Sequence, residues 1–110
     1  MHALRLCAQV PTLGAFHGSE VPFVFGDAFE LTTDGERTLA KAMGCYWRNF
    51  AHNADPNMPP SSGPPCEQKP PTWPAFTPGK NEATMVLDVG TIEPAYGLKV
   101  AQCDAFAAAP

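Results

Sequence analysis

"GAFHGSEVPFVFG", residues 14–26, sets His17 in a glycine-flanked loop just after a predicted strand. The strand covers residues 3–10, where apolar and more polar residues alternate, and Pro11 ends it. Loops that follow strands carry functional groups in open α/β sheets, and imidazole suits proton transfer near neutral pH. Gly14 and Gly18 allow backbone conformations that other residues disfavour. The residues alone leave two interpretations open, a catalytic histidine and a hydrogen-bonded structural one.

A long helix is predicted from about residue 34 to residue 52. Thr33 and Glu36 form a T-x-x-E capping box, and Asp34 adds negative charge to the first turn. Large apolar residues then recur at spacings of three and four: Leu39, Met43, Tyr46, Trp47 and Phe50. This face predicts a substantial body for the helix to pack against.

The second half of the chain is dominated by proline. Pro56 ends the helix, and nine of the 13 prolines lie in a loop over about 55–79, predicted to be extended and at the surface. A short strand is predicted over residues 83–89. A final short element is expected within residues 97–110.

Composition excludes several classes of function. With 110 residues the chain is one small domain at most, and its net charge is -4 with seven scattered Lys and Arg residues. A nucleic-acid partner is therefore not expected. No apolar run is long enough to span a bilayer, and the N-terminus lacks the pattern of a signal peptide. The compartment stays open.

Four cysteines are widely spaced along the chain: Cys7, Cys45, Cys66 and Cys103. Together with His2, His17 and His52 they match no common zinc spacing, so no metal or other cofactor is predicted. Disulfides fit better and require an oxidising compartment. The pairing is not determined by the residues.

Several motifs, in order, resemble the type B carboxylesterase/cholinesterase family of α/β-hydrolases. The stretch at 14–26 resembles its catalytic-histidine motif. The later matches follow in the family's order: "YWRNFAHNADPN" (46–57), "WPAF" (73–76), "TMVLDVG" (84–90) and "CDAF" (103–106). Phe106 is not followed by the tryptophan that ends the family's last motif. In secreted relatives the cysteine at position 103 often has an upstream partner, for which Cys7 and Cys66 are the candidates here.

The resemblance implies an α/β fold, with residues 1–110 as a partial, C-terminal segment of a type B carboxylesterase domain. This segment would hold the last sheet strand, the histidine loop, one long helix, the proline-rich loop, a short strand and a terminal element. It makes His17 the general base of a serine esterase, with Gly14, Gly18 and Glu20 supporting the motif. We interpret Glu20 as a buried orienting or structural residue, and Trp47, Asn49 and Phe50 as packing residues.

The other parts of such an esterase site are absent from the 110 residues. The family's catalytic residues run in the order Ser, acid, His, and the chain holds neither a G-x-S-x-G motif nor oxyanion-hole glycines. We therefore expect the tail of a carboxylic-ester hydrolase that needs no cofactor, is inactive alone, and works with the rest of the hydrolase domain on small carboxylic esters. A secreted or extracellular parent is compatible with this hypothesis. The alternative is a small non-catalytic binding module built from an esterase tail, in which the proline-rich loop and disulfides compensate for a small core.

Overall fold

The computed structural model describes residues 16–27 and 31–108. Along the chain lie helix α1 (Val21–Phe25), helix α2 (Asp34–Asn53), strand β1 (Ala83–Asp88), strand β2 (Thr91–Tyr96) and helix α3 (Val100–Ala107). The strand predicted over residues 3–10 lies outside the described residues. The described part thus combines helices with a small antiparallel sheet.

Helix α2 begins at the predicted capping box. The Thr33 hydroxyl accepts a hydrogen bond from the Glu36 N–H at 3.2 Å, and the Glu36 carboxylate accepts one from the Thr33 N–H at 2.6 Å. These bonds satisfy N–H groups that a helix start leaves unpaired. Ala54 ends the helix in a left-handed conformation, φ 55°, with its N–H bonded to the Phe50 carbonyl. The predicted helix over 34–52 is confirmed as Asp34–Asn53.

One side of α2 forms most of the core. Its buried residues are Leu39, Ala40, Ala42, Met43, Cys45, Tyr46 and Asn49. The prediction of a buried apolar face is confirmed for Leu39, Met43 and Tyr46 but is wrong for Trp47 and Phe50, which are 41% and 59% exposed. At this end of the helix the described chain packs on the side of Cys45 and Asn49, where the proline-rich loop lies. Trp47 and Phe50 therefore line an open groove.

Helix α1 forms the stretch that follows the histidine loop and packs against α2. Pro22 lies in its first turn, where a missing N–H costs no hydrogen bond. Gly26 ends it at φ 65°. The Val24 carbonyl lies near Gly44 of α2, where an added Cβ would be 3.5 Å from the oxygen. We predicted only an apolar stretch here, because five residues are too few to show a helical period.

The proline-rich segment contains no helix or strand from residue 54 to residue 82, in agreement with the predicted loop over about 55–79. Its base is closed by the Asn57 side chain, which accepts a hydrogen bond from the Trp73 N–H at 2.7 Å and donates one to the Trp73 carbonyl at 2.9 Å. The Trp73 ring stands edge-on to Tyr46, with ring centroids 5.0 Å apart. An extended, proline-rich chain thus acquires a fixed shape through side-chain hydrogen bonds.

Two further hydrogen bonds join this loop to α2. The Tyr46 hydroxyl donates to the Pro71 carbonyl at 2.5 Å, and the Asn49 amide donates to the Pro56 carbonyl at 3.0 Å. Both donors lie on the buried side of α2, and both acceptors are backbone oxygens that strands or helices would otherwise pair. The loop therefore covers α2 as a packed layer.

Strands β1 and β2 form an antiparallel hairpin, from Ala83 opposite Tyr96 to Asp88 opposite Thr91. The predicted strand over 83–89 is confirmed, whereas β2 was not predicted, since Pro94 interrupts its pattern. The hairpin loop lies against the first turn of α2, where a Cβ added to Gly35 would be 2.9 Å from Val89 Cγ1. The predicted terminal element is α3, whose side chains are almost all exposed.

Candidate functional site

His17 lies in a turn just before α1, and its side chain is exposed. The turn is held by hydrogen bonds from the Ser19 N–H to the Phe16 carbonyl at 3.0 Å and from the Val21 N–H to the Gly18 carbonyl at 3.2 Å. Gly18 has φ 84°, a conformation that favours glycine, and no atom lies within 4 Å of where its Cβ would stand. Glycine is therefore required here by backbone conformation, and it sets the direction of the chain at the histidine.

The other motif residues are placed differently. Glu20 is the N-cap residue of α1, its side chain is exposed, and it makes no capping hydrogen bond. Its predicted burial is wrong for this chain, because nothing in the described residues packs over the start of α1. No hydrogen bond or ion pair joins Glu20 to His17 within residues 16–27 and 31–108. Gly14 lies outside the described residues.

An apolar groove of about 820 Å³ lies at the C-terminal end of α2. Its walls are aromatic side chains and prolines, with Trp47 and Phe50 from the helix and Trp73 and Pro74 from the loop. The Trp47 and Trp73 ring centroids are 6.4 Å apart. Asn49, interpreted as a packing residue, is 3% exposed, whereas Trp47 and Phe50 pack on one side only. Exposed aromatic area of this kind is typical of surfaces that bind a ligand or another protein.

The structure pairs Cys45 with Cys66 in a disulfide that joins α2 to the proline-rich loop. This pairing removes Cys66 as a partner of Cys103, which is exposed and has no disulfide partner within residues 16–27 and 31–108. Cys7 lies outside the described residues. In the part that the structure describes, no group of three or more His, Cys, Asp or Glu side chains is arranged to hold a metal ion.

Two carboxylates have pKa values displaced by their neighbours. Burial raises the pKa of Glu36, but hydrogen bonds from Thr33 and Thr32 outweigh it and hold that pKa below its ordinary value. A hydrogen bond from Lys41, together with its charge, lowers the pKa of Glu67, and the two charged atoms are 2.6 Å apart. Both carboxylates have structural roles, one at the start of α2 and one at the loop.

None of the helices in residues 16–27 and 31–108 has the length and apolar character needed to cross a membrane.

Comparison with protein families shows which family this chain belongs to. A family model described as "Carboxylesterase family" matches residues 2–106. The chain belongs to the carboxylesterase family. Membership implies an α/β-hydrolase, so the helices and hairpin of this carboxylesterase-family chain are read as part of that fold.

Individual relatives agree. Over 66 residues the chain is 39% identical to the bile salt-activated lipase of Homo sapiens, an alignment covering 57% of this chain and 9% of the lipase. It is 36% identical over 83 residues to carboxylesterase 5A of Felis catus, covering 68% of the chain and 13% of that protein. Carboxylesterase 4A of Bos taurus is 35% identical over 82 residues, covering 73% of this chain and 13% of that protein. The carboxylesterase-family chain thus spans about a tenth of the length of the curated relatives it matches.

The match confirms the family resemblance derived from the motifs, and it supports an esterase-derived piece over the alternative binding module. Sequence reasoning missed two features that shape the site. One is the Cys45–Cys66 pair, for which a 21-residue separation is no signal. The other is Asn57, whose side-chain hydrogen bonds to Trp73 are not indicated by any local pattern.

Proposed function

We propose that this chain is the histidine-bearing part of a serine carboxylic-ester hydrolase of the type B branch and hydrolyses no ester by itself. The observation that carries the proposal is the family match over residues 2–106, which includes the glycine-dependent turn of His17. The turn leaves the imidazole exposed, and exposure is needed for a group that acts on a residue from another part of the protein.

His17 would act as a general base and then as a general acid. In serine esterases an imidazole takes the proton of the serine hydroxyl as its oxygen attacks the ester carbonyl, and returns a proton to the leaving alcohol. A second cycle with water then releases the carboxylic acid. The 110 residues contain no G-x-S-x-G motif, so the nucleophile, the acidic member and the oxyanion hole must come from the rest of the hydrolase domain.

The exposed aromatic side chains of this chain support such a partner. Trp47, Phe50 and Phe76 are 41%, 59% and 59% exposed, although residues of this size are normally found largely inside. The relatives are many times longer than the aligned segment, so their chains have ample material to cover an equivalent surface. In this proposal the remainder of the domain packs on these exposed aromatic side chains and supplies the catalytic serine.

The first test is the size of the native polypeptide. An antibody against residues 60–71, in the proline-rich loop, should detect a band several times larger than 11.8 kDa in source cells. A single band near that mass would overturn the proposal.

The second test compares two histidines in the polypeptide expressed from its own gene. His17→Ala should reduce p-nitrophenyl butyrate hydrolysis by at least roughly 10²–10⁴-fold, the range for loss of general acid–base catalysis. His52→Ala is the matched control, because His52 is exposed in the last turn of α2. Equal activity of the two variants would refute the role of His17. The 110-residue chain alone should release no p-nitrophenol.

A further inference from the structure

The Cys45–Cys66 disulfide lies where a small reductant reaches one of its two sulfurs. Cys45 is 5% exposed, on the buried side of α2. Cys66 is partly exposed, and both cysteines line two clefts of about 510 and 300 Å³ that the proline-rich loop forms with its neighbours. Attack by an external thiol is therefore directed to Cys66 Sγ.

A cation stands beside this sulfur. The Arg48 Nη2 group donates a hydrogen bond to Cys66 Sγ at 3.1 Å, and Arg48 Nε is buried with no hydrogen-bond partner in the described part of the chain. Arg48 forms no ion pair with any residue in 16–27 or 31–108. The nearby Glu67 carboxylate is bound to Lys41 at 2.6 Å, so its charge is largely offset. The guanidinium thus faces a neutral sulfur although it is equipped to face an anion.

Reduction creates that anion. A thiol beside an arginine ionises more readily than a free one, and a disulfide whose reduced form is stabilised in this way is more easily reduced. We propose that Cys66 is a thiol-exchange site, at which a dithiol reductant opens the Cys45–Cys66 bond and Arg48 stabilises the resulting Cys66 thiolate.

The exchange proceeds in two steps. A thiolate of the reductant attacks Cys66 Sγ, the S–S bond breaks, and Cys45 leaves as a thiolate that takes up a proton. The second thiol of the reductant then loses its proton and attacks the reductant sulfur of the mixed disulfide, releasing Cys66 as a thiolate. Two electrons pass to the protein, and the dithiol becomes a disulfide.

Opening the bond frees the middle of the loop and leaves its base in place. The Asn57–Trp73 hydrogen bonds, at 2.7 and 2.9 Å, close the loop without the disulfide. Among the described residues, the segment around Glu67 is then held by the exposed Lys41–Glu67 ion pair and by the contact of Arg48 with Cys66, and non-covalent contacts of this kind restrain the loop less than the disulfide they replace. Reduction should therefore speed cleavage after Glu67 by a glutamyl endopeptidase.

The test is the redox equilibrium of the full 110-residue chain with reduced and oxidised dithiothreitol. At a pH high enough to ionise the Cys66 thiol in both proteins, Arg48→Met should make the disulfide about tenfold harder to reduce, the equivalent of one unit in thiol ionisation. Arg48→Lys keeps the charge and should stay near the wild type. Lys80→Met is the matched control, since Lys80 is an exposed cation in the turn before β1. Equal reduction of Arg48→Met and wild type, with unchanged circular dichroism, would overturn the proposal.

A second measurement does not depend on the disulfide. In Cys45→Ser the Cys66 thiol is free, and its iodoacetamide alkylation, followed by peptide mass mapping, should have a lower midpoint pH than that of the exposed Cys103 in the same chain. Adding Arg48→Met should bring the two midpoints together. Coincident midpoints while Arg48 is present would show that the guanidinium does not act on Cys66. Neither experiment requires esterase activity, so its outcome is independent of the proposed function.

Discussion

Removing the Cys45–Cys66 bond should lower the free energy of unfolding of this chain by about 3 kcal/mol. The two cysteines are separated by 21 residues, and closing a loop of that length restricts the unfolded chain by about that amount in the chain-entropy model. Total stabilities of small domains are roughly 5–15 kcal/mol. The expected loss is therefore a large fraction of the whole.

The perturbation is the double variant Cys45→Ser/Cys66→Ser, and the control is Cys103→Ser, which removes an exposed free thiol. Urea unfolding is followed by tryptophan fluorescence, because Trp73 contacts both Tyr46 and Trp47 and reports on the loop–helix contact. The wild type in excess dithiothreitol should unfold like the double variant. The melting temperature should fall by about 12–24 °C, given ~4–8 °C per kcal/mol for domains of this size.

The result that would refute the reasoning is a double variant within about 0.5 kcal/mol of Cys103→Ser, the range of ordinary surface substitutions. That result would mean that the disulfide restricts the unfolded chain little, because the unfolded chain retains structure around the loop. A loss well above 3 kcal/mol would mean that the loop is part of the cooperative core.

Three further predictions concern the ends of α2 and the base of the loop. Thr33→Ala should cost about 1 kcal/mol in urea unfolding, since it removes the capping hydroxyl. The pKa of Glu36 is lowered on folding, so its contribution to stability is present above the unfolded pKa of about 4.3 and is lost as the pH falls through the folded pKa. Glu36→Gln should therefore flatten the decline of the urea midpoint between pH 5 and 3. An unchanged slope would contradict this. Asn57→Ala removes both bonds to Trp73 and one to Asp55, and it should cost about 1–2 kcal/mol. Asn53→Ala removes one bond and should cost about 0.5–1 kcal/mol; equal losses would argue against the closed loop base.

The predicted elements that held are those specified by neighbouring residues. The α2 boundaries follow from Thr33, Glu36 and Pro56, because caps and proline act on the adjacent turn. Strand β1 and the loop over about 55–79 were likewise predicted from local composition. Strand β2 was missed because Pro94 lies in its middle and reads as a break in the pattern.

The wrong predictions at the candidate site arise because helical spacing shows which residues share a face but not what packs against that face. The spacing of Trp47 and Phe50 indicates an apolar stripe, but periodicity does not say which neighbour covers it. In this chain the cover ends before them, and the two side chains line a groove. Glu20 was expected inside and lies at the exposed start of α1 for the same reason, the absence of a packed neighbour in the described residues.

The sequence by itself determined the family, the position of His17 between glycines, the long capped helix and the proline-rich loop. Each of these features depends on residues that lie close together in the chain, where hydrogen bonding and steric restriction act locally. Only the tertiary structure decided that Cys45 pairs with Cys66, that Asn57 closes the loop on Trp73, and that Arg48 stands 3.1 Å from a sulfur. These contacts join residues 16 to 21 positions apart, and no local preference specifies which of many distant partners the folded chain brings together.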